Sequence, residues 1–389
     1  MVNPKRSKSQ RHNLKDKRVT EKMETGISIE DLGYNDNFKK LRKEKHLKEF
    51  EMGRVIAEHK ERYIVMTEKG EFEAEITGNL RFSAQSREDF PAVGDWVTML
   101  NYDSDVVIIH SVLPRTSILS RQAVGKLGET QIIAANIDYA LLVQAVDRDF
   151  NINRLERYLT ICNSSKVSPI IILTKTDLIE PKEVKKIVER IEQRIKKVPI
   201  FPISNETKDG YDSINGLMEK GKTYCLLGSS GVGKSTLMNN LVGKDLMKTS
   251  AISTSTNKGR HVTSHRELAV IKSGGILIDN PGMREIGIID SGEGLDNTFD
   301  KILKYSQECK FKDCTHTNEI ACAVLEAVEH GQIDKKTYEN FLKIQKEKEY
   351  FDLTVAEKRK KEKSFGKMVK NFKNDMQKLS DKHNSAYEK

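Results

Sequence analysis

The chain has 389 residues, 37% of them hydrophobic and 32% charged, with a formal net charge of +9. That length accommodates two or three domains with separate cores, and no stretch approaches the roughly 18 apolar residues of a membrane span. The positive balance points to a polyanionic partner such as nucleic acid; the plain alternative is a Lys-rich surface that only keeps the chain in solution.

Residues 1–50 are polar and basic, with seven Lys or Arg from Lys5 to Arg18 against the single acid Asp16. They show no core pattern, and a helix is expected over 41–50. No apolar stretch follows, so a secretory leader is not expected. Short alternating segments come next, at 54–57, 63–66, 72–76, 95–99 and 106–109, with a turn at 68–71. Such a run of short strands predicts a small antiparallel barrel, for which the OB-fold is the natural candidate.

Between residues 137 and 290 apolar strands alternate with helical stretches, the signature of an α/β sheet. The strands are expected at 139–143, 170–173, 200–203 and 223–227, and the helices at 153–162 and 181–195, the second with Pro181 in its first turn. Residues 265–278 read as two strands joined at Ser273, Gly274 and Gly275. A Cys/His cluster follows, then a Lys- and Glu-rich tail with helical character.

The chemistry lies in the order of three motifs. GSSGVGKS at 228–235 matches the phosphate-binding loop in full: Gly228, Ser229, Ser230, Gly231, Val232, Gly233, Lys234 and Ser235, with Thr236 continuing into a helix. Its glycines let backbone N–H groups converge on a phosphate at a helix start, Lys234 reaches the β/γ-phosphates and Ser235 suits Mg²⁺. Asp279, Asn280, Pro281 and Gly282 supply a DxxG, where Asp279 can hold Mg²⁺ through water and Gly282 can meet a γ-phosphate.

The third motif, TKTD, comprises Thr174, Lys175, Thr176 and Asp177 and precedes the loop instead of following it. A carboxylate at Asp177 pairs with the ring N–H and amine of guanine, and would face an acceptor on adenine. Lys175 can pack its stem on the base, and Ser204 and Asn205 can add backbone contacts to the guanine oxygen. Thr174 replaces the usual Asn and offers a hydroxyl without an amide.

GRHVTS at 259–264 lies where a switch threonine would complete the Mg²⁺ shell; Thr263 is the candidate, with Thr256 or Ser264 as alternatives. Met283 stands where Ras-type enzymes carry a water-orienting Gln. His261 is a candidate replacement, the alternative being an ordinary solvated histidine. Cys309, Cys314, His316 and Cys322 make a closed tetrahedral donor set suited to one structural zinc ion. Metal in a reducing compartment fits an odd total of five cysteines better than disulfides do, and Cys162 and Cys225 read as core packing.

Together these features resemble the circularly permuted ribosome-biogenesis GTPases of the RsgA (YjeQ) type. The resemblance runs from Gly53 to Cys322 through the barrel with its VGDWV strand at 93–97, the early TKTD, the phosphate loop, GRHVTS, DNPGMRE at 279–285 and the Cys/Cys/His/Cys spacing. It implies a multidomain chain: a basic extension (1–50), an OB-fold barrel (51–121), a circularly permuted GTPase domain (122–290), a helical zinc-binding domain (291–350) and a basic helical tail (351–389). It further implies a cytoplasmic monomer that binds GTP/GDP with Mg²⁺, with hydrolysis stimulated by the small ribosomal subunit and coupled to release. His261 gains a role in hydrolysis by the same resemblance.

Lys358, Arg359, Lys360, Lys361, Lys363, Lys367, Lys370 and Lys373 read as phosphate contacts to rRNA, or else as the solvated face of a helix. The competing functions are an ATPase or kinase, which TKTD opposes; a GTP-sensing RNA-binding switch with little catalysis; and a GTPase for another structured RNA.

Overall fold

The protein is described from a computed structural model over residues 26–59, 62–103, 105–122, 130–147, 150–243, 267–279 and 292–353, with 357 and 360. The basic run from Lys5 to Arg18 and all the tail cations singled out above except Lys360 lie outside these residues.

Five strands close a barrel: β1 (Glu51–His59), β2 (Arg62–Thr67), β3 (Gly70–Ile76), β4 (Trp96–Asn101) and β5 (Val106–Val112), in the order β1-β2-β3-β5-β4, with the short helix α2 (Gly78–Ser83) between β3 and β4. β1 pairs antiparallel with β2 and β4, and β3 pairs parallel with β5, the connectivity of an OB-fold. Alternation in the sequence becomes alternation in burial, with Phe72, Ala74 and Ile76 of β3 inward and the glutamates between them outward.

The segment before the barrel is packed, which the sequence reading missed. Helix α1 (Asp36–Glu44) is capped by Asn35, whose side chain accepts the N–H groups of Asn37 and Phe38. Leu32, Tyr34 and Phe38 bury against Trp96, and the Tyr34 and Trp96 rings meet edge-on at 4.9 Å. Its apolar face is short, with Phe38 buried and Leu41 packed beside it, and the chain leaves the helix through His46 at φ 56° instead of continuing to residue 50.

Beyond the barrel, β6 (Ile118–Gln122) and β7 (Thr130–Ala135) form an antiparallel ribbon. The main sheet then has six strands in the order β10-β9-β8-β11-β13-β12. These are β8 (Tyr139–Ala145), β9 (Ser168–Thr174), β10 (Ile200–Pro202), β11 (Thr223–Leu227), β12 (Glu267–Val270) and β13 (Ile276–Asp279); all neighbours run parallel except the β12–β13 hairpin.

Helices cover both faces of this sheet. Ala140 and Leu142 of β8 pack towards α3 (Ile152–Ser164) and α4 (Pro181–Arg194), while Leu141 and Val143 face α5 (Tyr211–Leu217) and α6 (Lys234–Val242). Near-continuous apolar runs in the central strands are what two covered faces require. Cys162 and Cys225 are buried in this core, and burial pushes both thiols up, Cys225 to about 12. They are packing residues, as their apolar surroundings led us to expect.

The C-terminal segment comprises α7 (Gly292–Thr298), α8 (Asp300–Ser306), a Cys/His loop, α9 (Ala323–Glu329) and α10 (Lys335–Asp352). Its apolar side, with Leu295, Phe299, Ile302, Val324 and Ile344, belongs to the same core as α3. Polar contacts reinforce that docking. Buried Glu156 accepts from Arg194 and from Asn340 of α10, each at 2.7 Å, and Arg157 pairs with Glu347 at 2.6 Å. Burial outweighs these donors and raises the Glu156 carboxyl above its ordinary range.

Arg54 joins three parts of the chain. It is 1% exposed and donates to the carbonyls of Leu32, Gly94 and Asn136 and to Thr223 Oγ1. Burial lowers its guanidinium to about 10, still far above neutrality, so a full charge sits between barrel, N-terminal segment and sheet.

Candidate functional site

The phosphate loop joins the end of β11 to the start of α6. Two glycines fix its path. Gly233 has φ 92° and a Cβ there would lie 2.6 Å from Asn205 Nδ2, while a Cβ on Gly228 would lie 2.4 Å from the Val143 carbonyl oxygen. Lys234 folds over the loop, its Nζ 2.8 Å from the Gly228 carbonyl and 2.7 Å from that of Ser229. Val232 is buried in the core, whereas Ser230, Gly231, Ser235 and Thr236 are exposed around the mouth of the helix. The backbone N–H groups at that end and the helix dipole favour an anion.

TKTD comes early in the chain yet stands beside this loop. β9 ends at Thr174, whose buried hydroxyl donates to the Val232 carbonyl at 2.6 Å. A hydroxyl thus ties the base-reading segment to the phosphate loop without an amide. Lys175 adopts φ 62° and pairs with Asp147, just beyond β8, at 2.8 Å. The Asp177 carboxylate is exposed and accepts the hydroxyl of buried Ser204 at 2.6 Å. Ser204 Oγ in turn accepts the N–H groups of Glu206 and Thr207, so its side chain positions Asp177 in addition to any backbone contact.

Asn205, expected only to offer a backbone contact, closes the unit through its side chain. Its Nδ2 donates to the Gly233 carbonyl at 3.1 Å and its Oδ1 accepts the Tyr211 hydroxyl at 2.7 Å. Residues 174–177, 204–205 and 228–235 are therefore one hydrogen-bonded body assembled from three distant segments. β13 ends at Asp279 alongside β11, with Cys225 opposite Ile278 in the register. Thr256, His261, Thr263, Ser264, Gly282 and Met283 lie outside the described residues.

The Cys/His loop forms a second centre. The donor atoms of Cys309, Cys314, His316 and Cys322 all lie within 4.8 Å of one another. Cys309 Sγ is 3.9 Å from Cys322 Sγ, and these sulfurs lie 3.6 and 3.5 Å from His316 Nδ1. Cys322 precedes α9 directly, and the Tyr338 hydroxyl of α10 donates to the His316 carbonyl at 2.6 Å, so helices hold the loop from two sides. Burial lowers the His316 imidazole and favours its neutral, ligating form. Three thiols and an imidazole so placed can hold a metal ion.

Comparison with known proteins agrees with this layout. A family model described as RsgA GTPase matches residues 112–289, and one described as 50S ribosome-binding GTPase matches 223–358. The small ribosomal subunit biogenesis GTPase RsgA 1 of Bacteroides thetaiotaomicron is 39% identical over 88% of this chain and 95% of its own length. Its namesake in Listeria innocua is 44% identical over 77% of this chain and 84% of its own.

Among solved structures, YjeQ from Thermotoga maritima superposes with a TM-score of 0.55 at 27% identity, covering 75% of this chain and 96% of that one. YloQ, described as a circularly permuted GTPase, gives 0.55 at 24% identity over 80% and 99%, a likeness of fold. Identity at this level over most of both chains establishes that the protein belongs to the RsgA GTPase family.

Proposed function

We propose that this chain binds the small ribosomal subunit through its rRNA and hydrolyses GTP to GDP late in subunit maturation, with hydrolysis stimulated by the subunit and coupled to release. The observation that carries the reading is the union of TKTD with the phosphate loop through Thr174–Val232 and Asn205–Gly233. The names of the relatives add the small subunit as partner. In this reading the protein acts as a cytoplasmic monomer. Among the described residues no helix is long and apolar enough to cross a membrane.

Asp177, fixed by Ser204, accepts the guanine N–H groups, and the stem of Lys175 packs along the base. Amides of 228–236 and Lys234 hold the phosphates, while Thr263 would act at the γ-phosphate. Ser235, Thr263 and Asp279 are the residues that would hold Mg²⁺, which when bound neutralises charge on the β/γ oxygens. Gly282 offers its N–H to the γ-phosphate, and His261 orients the attacking water.

The metal is zinc. With bonds of about 2.3 Å to sulfur and about 2.05 Å to nitrogen, a tetrahedron has S–S edges of about 3.8 Å and S–N edges of about 3.6 Å. The three separations among Cys309, Cys322 and His316 are 3.9, 3.6 and 3.5 Å, and Cys314 completes the set with all four donors within 4.8 Å of one another. Four protein ligands leave no open position, so the ion is structural.

The test is GTP hydrolysis by the protein alone, with small subunits and with large subunits. Stimulation confined to small subunits supports the reading. Slow turnover unaffected by either would replace it with a GTP-sensing switch acting on another structured RNA.

A further inference from the structure

One cation at the phosphate loop belongs to none of the nucleotide motifs. Arg154 stands in the first turn of α3, three residues beyond its N-cap Asn151, and its Nη1 donates to Ser229 Oγ at 3.0 Å. The carbonyl of the same serine accepts Lys234 Nζ at 2.7 Å. Two positive side chains therefore converge on Ser229, one through its hydroxyl and one through its backbone.

The mounting of Arg154 is rigid. Its neighbours Asn153 and Glu156 accept from Arg194 of α4, each at 2.7 Å. Arg157, one turn on, pairs with Glu347 of α10, and Asn163 near the far end donates to Thr298 of α7 at 3.0 Å. A side chain carried on a helix clamped at several points presents its charge with little reorganisation.

We propose that Arg154 is a positioning residue for GTP hydrolysis. Through Ser229 it sets the path of the first residues of the phosphate loop, and so the cradle in which the transferred phosphoryl group lies. It donates hydrogen bonds and exchanges no proton. The assignment rests on the GTPase reading above, in which Arg154 has no part.

The experiment compares the full chain with Arg154→Ala, Arg154→Lys, Ser229→Ala and the Arg154→Ala/Ser229→Ala double variant. It measures kcat and KM for GTP, the affinity for GDP and the thermal midpoint. We expect Arg154→Ala to lower kcat roughly 10- to 100-fold, because small misplacements of reacting groups cost that much. KM, GDP affinity and thermal midpoint should stay near wild type, and Arg154→Lys should recover part of the rate. Since both residues act through one contact, the double variant should be no slower than the slower single variant.

Wild-type kcat in Arg154→Ala overturns the assignment, as does a fall in kcat matched by equal losses of GDP affinity and stability. Multiplicative losses in the double variant would also overturn it. A wild-type chain that hydrolyses no GTP overturns the GTPase reading and this assignment together, whereas equal hydrolysis by wild type and Arg154→Ala overturns the assignment alone.

Discussion

The Thr174 hydroxyl donates to the Val232 carbonyl across 2.6 Å, joining a strand end to a loop that lies 58 residues further along the chain. Thr174→Val keeps the shape and removes the donor, leaving a buried carbonyl unpaired. A buried hydrogen bond of this kind corresponds to a loss of about 10-fold in affinity. GTP and GDP should weaken alike, since the contact lies away from the γ-phosphate, and the preference for guanine should persist. Titration with both nucleotides checks this, and unchanged affinity would mean that the bond does not organise the site.

Asp177→Asn should change which base is accepted. The Ser204 hydroxyl can still donate to the remaining carbonyl oxygen, so the side chain stays in place. Its new amide N–H groups then oppose the N–H groups of guanine but match the extra carbonyl of xanthine. GTP should weaken by at least about 100-fold, the scale on which unpaired polar groups discriminate. Xanthosine triphosphate should become the better substrate; equal loss for both nucleotides would sever Asp177 from base reading.

Metal content gives a third test. The purified chain should hold about one zinc ion, and Cys322→Ser or prolonged chelation should remove it. Without the ion the loop between α8 and α9 loses its anchor, and the thermal midpoint should fall. GDP affinity should change little because the cluster contributes no side chain to the nucleotide unit. A chain that keeps full stability after complete metal loss would contradict a structural role.

The N-terminal segment should respond to acid. Lys220 lies 2.7 Å from Asp31, and this contact, with donors from Ser28, holds the Asp31 carboxyl down to about 2 against an ordinary 3.8. A depressed carboxylate contributes stability that is present above 3.8 and is lost as pH falls through about 2. Asp31→Asn should therefore lower the thermal midpoint at pH 6, with the gap to wild type closing towards pH 2. A gap that is constant across this range would show that the ion pair contributes nothing.

What could be read from the sequence, and what could not, follows a physical line. The phosphate loop, TKTD and the Cys/His set were legible because their chemistry demands fixed residue types at fixed spacing. The barrel strands were legible through periodic burial and the strands of the main sheet as short apolar runs, down to Thr223 and Leu227 at the ends of β11. The packed N-terminal segment was not, because Leu32, Tyr34, Phe38 and Leu41 are few and set among charged and polar residues. Nor were the couplings of Arg154 to Ser229 or Asn205 to Gly233, since a single side chain reaching a distant segment leaves no local pattern.

Arg54 also bears on the order in which the chain can fold during synthesis. Its partners lie 22, 40, 82 and 169 residues away, on both sides of it in the sequence. A nascent chain carrying only the barrel strands has no Thr223 hydroxyl or Asn136 carbonyl to receive this guanidinium. The side chain must then stay hydrated, and the barrel surface around it open, until the strand at residue 223 has left the translating ribosome. Docking of the barrel on the nucleotide-binding sheet is thereby delayed to the moment when that sheet first has its central strands.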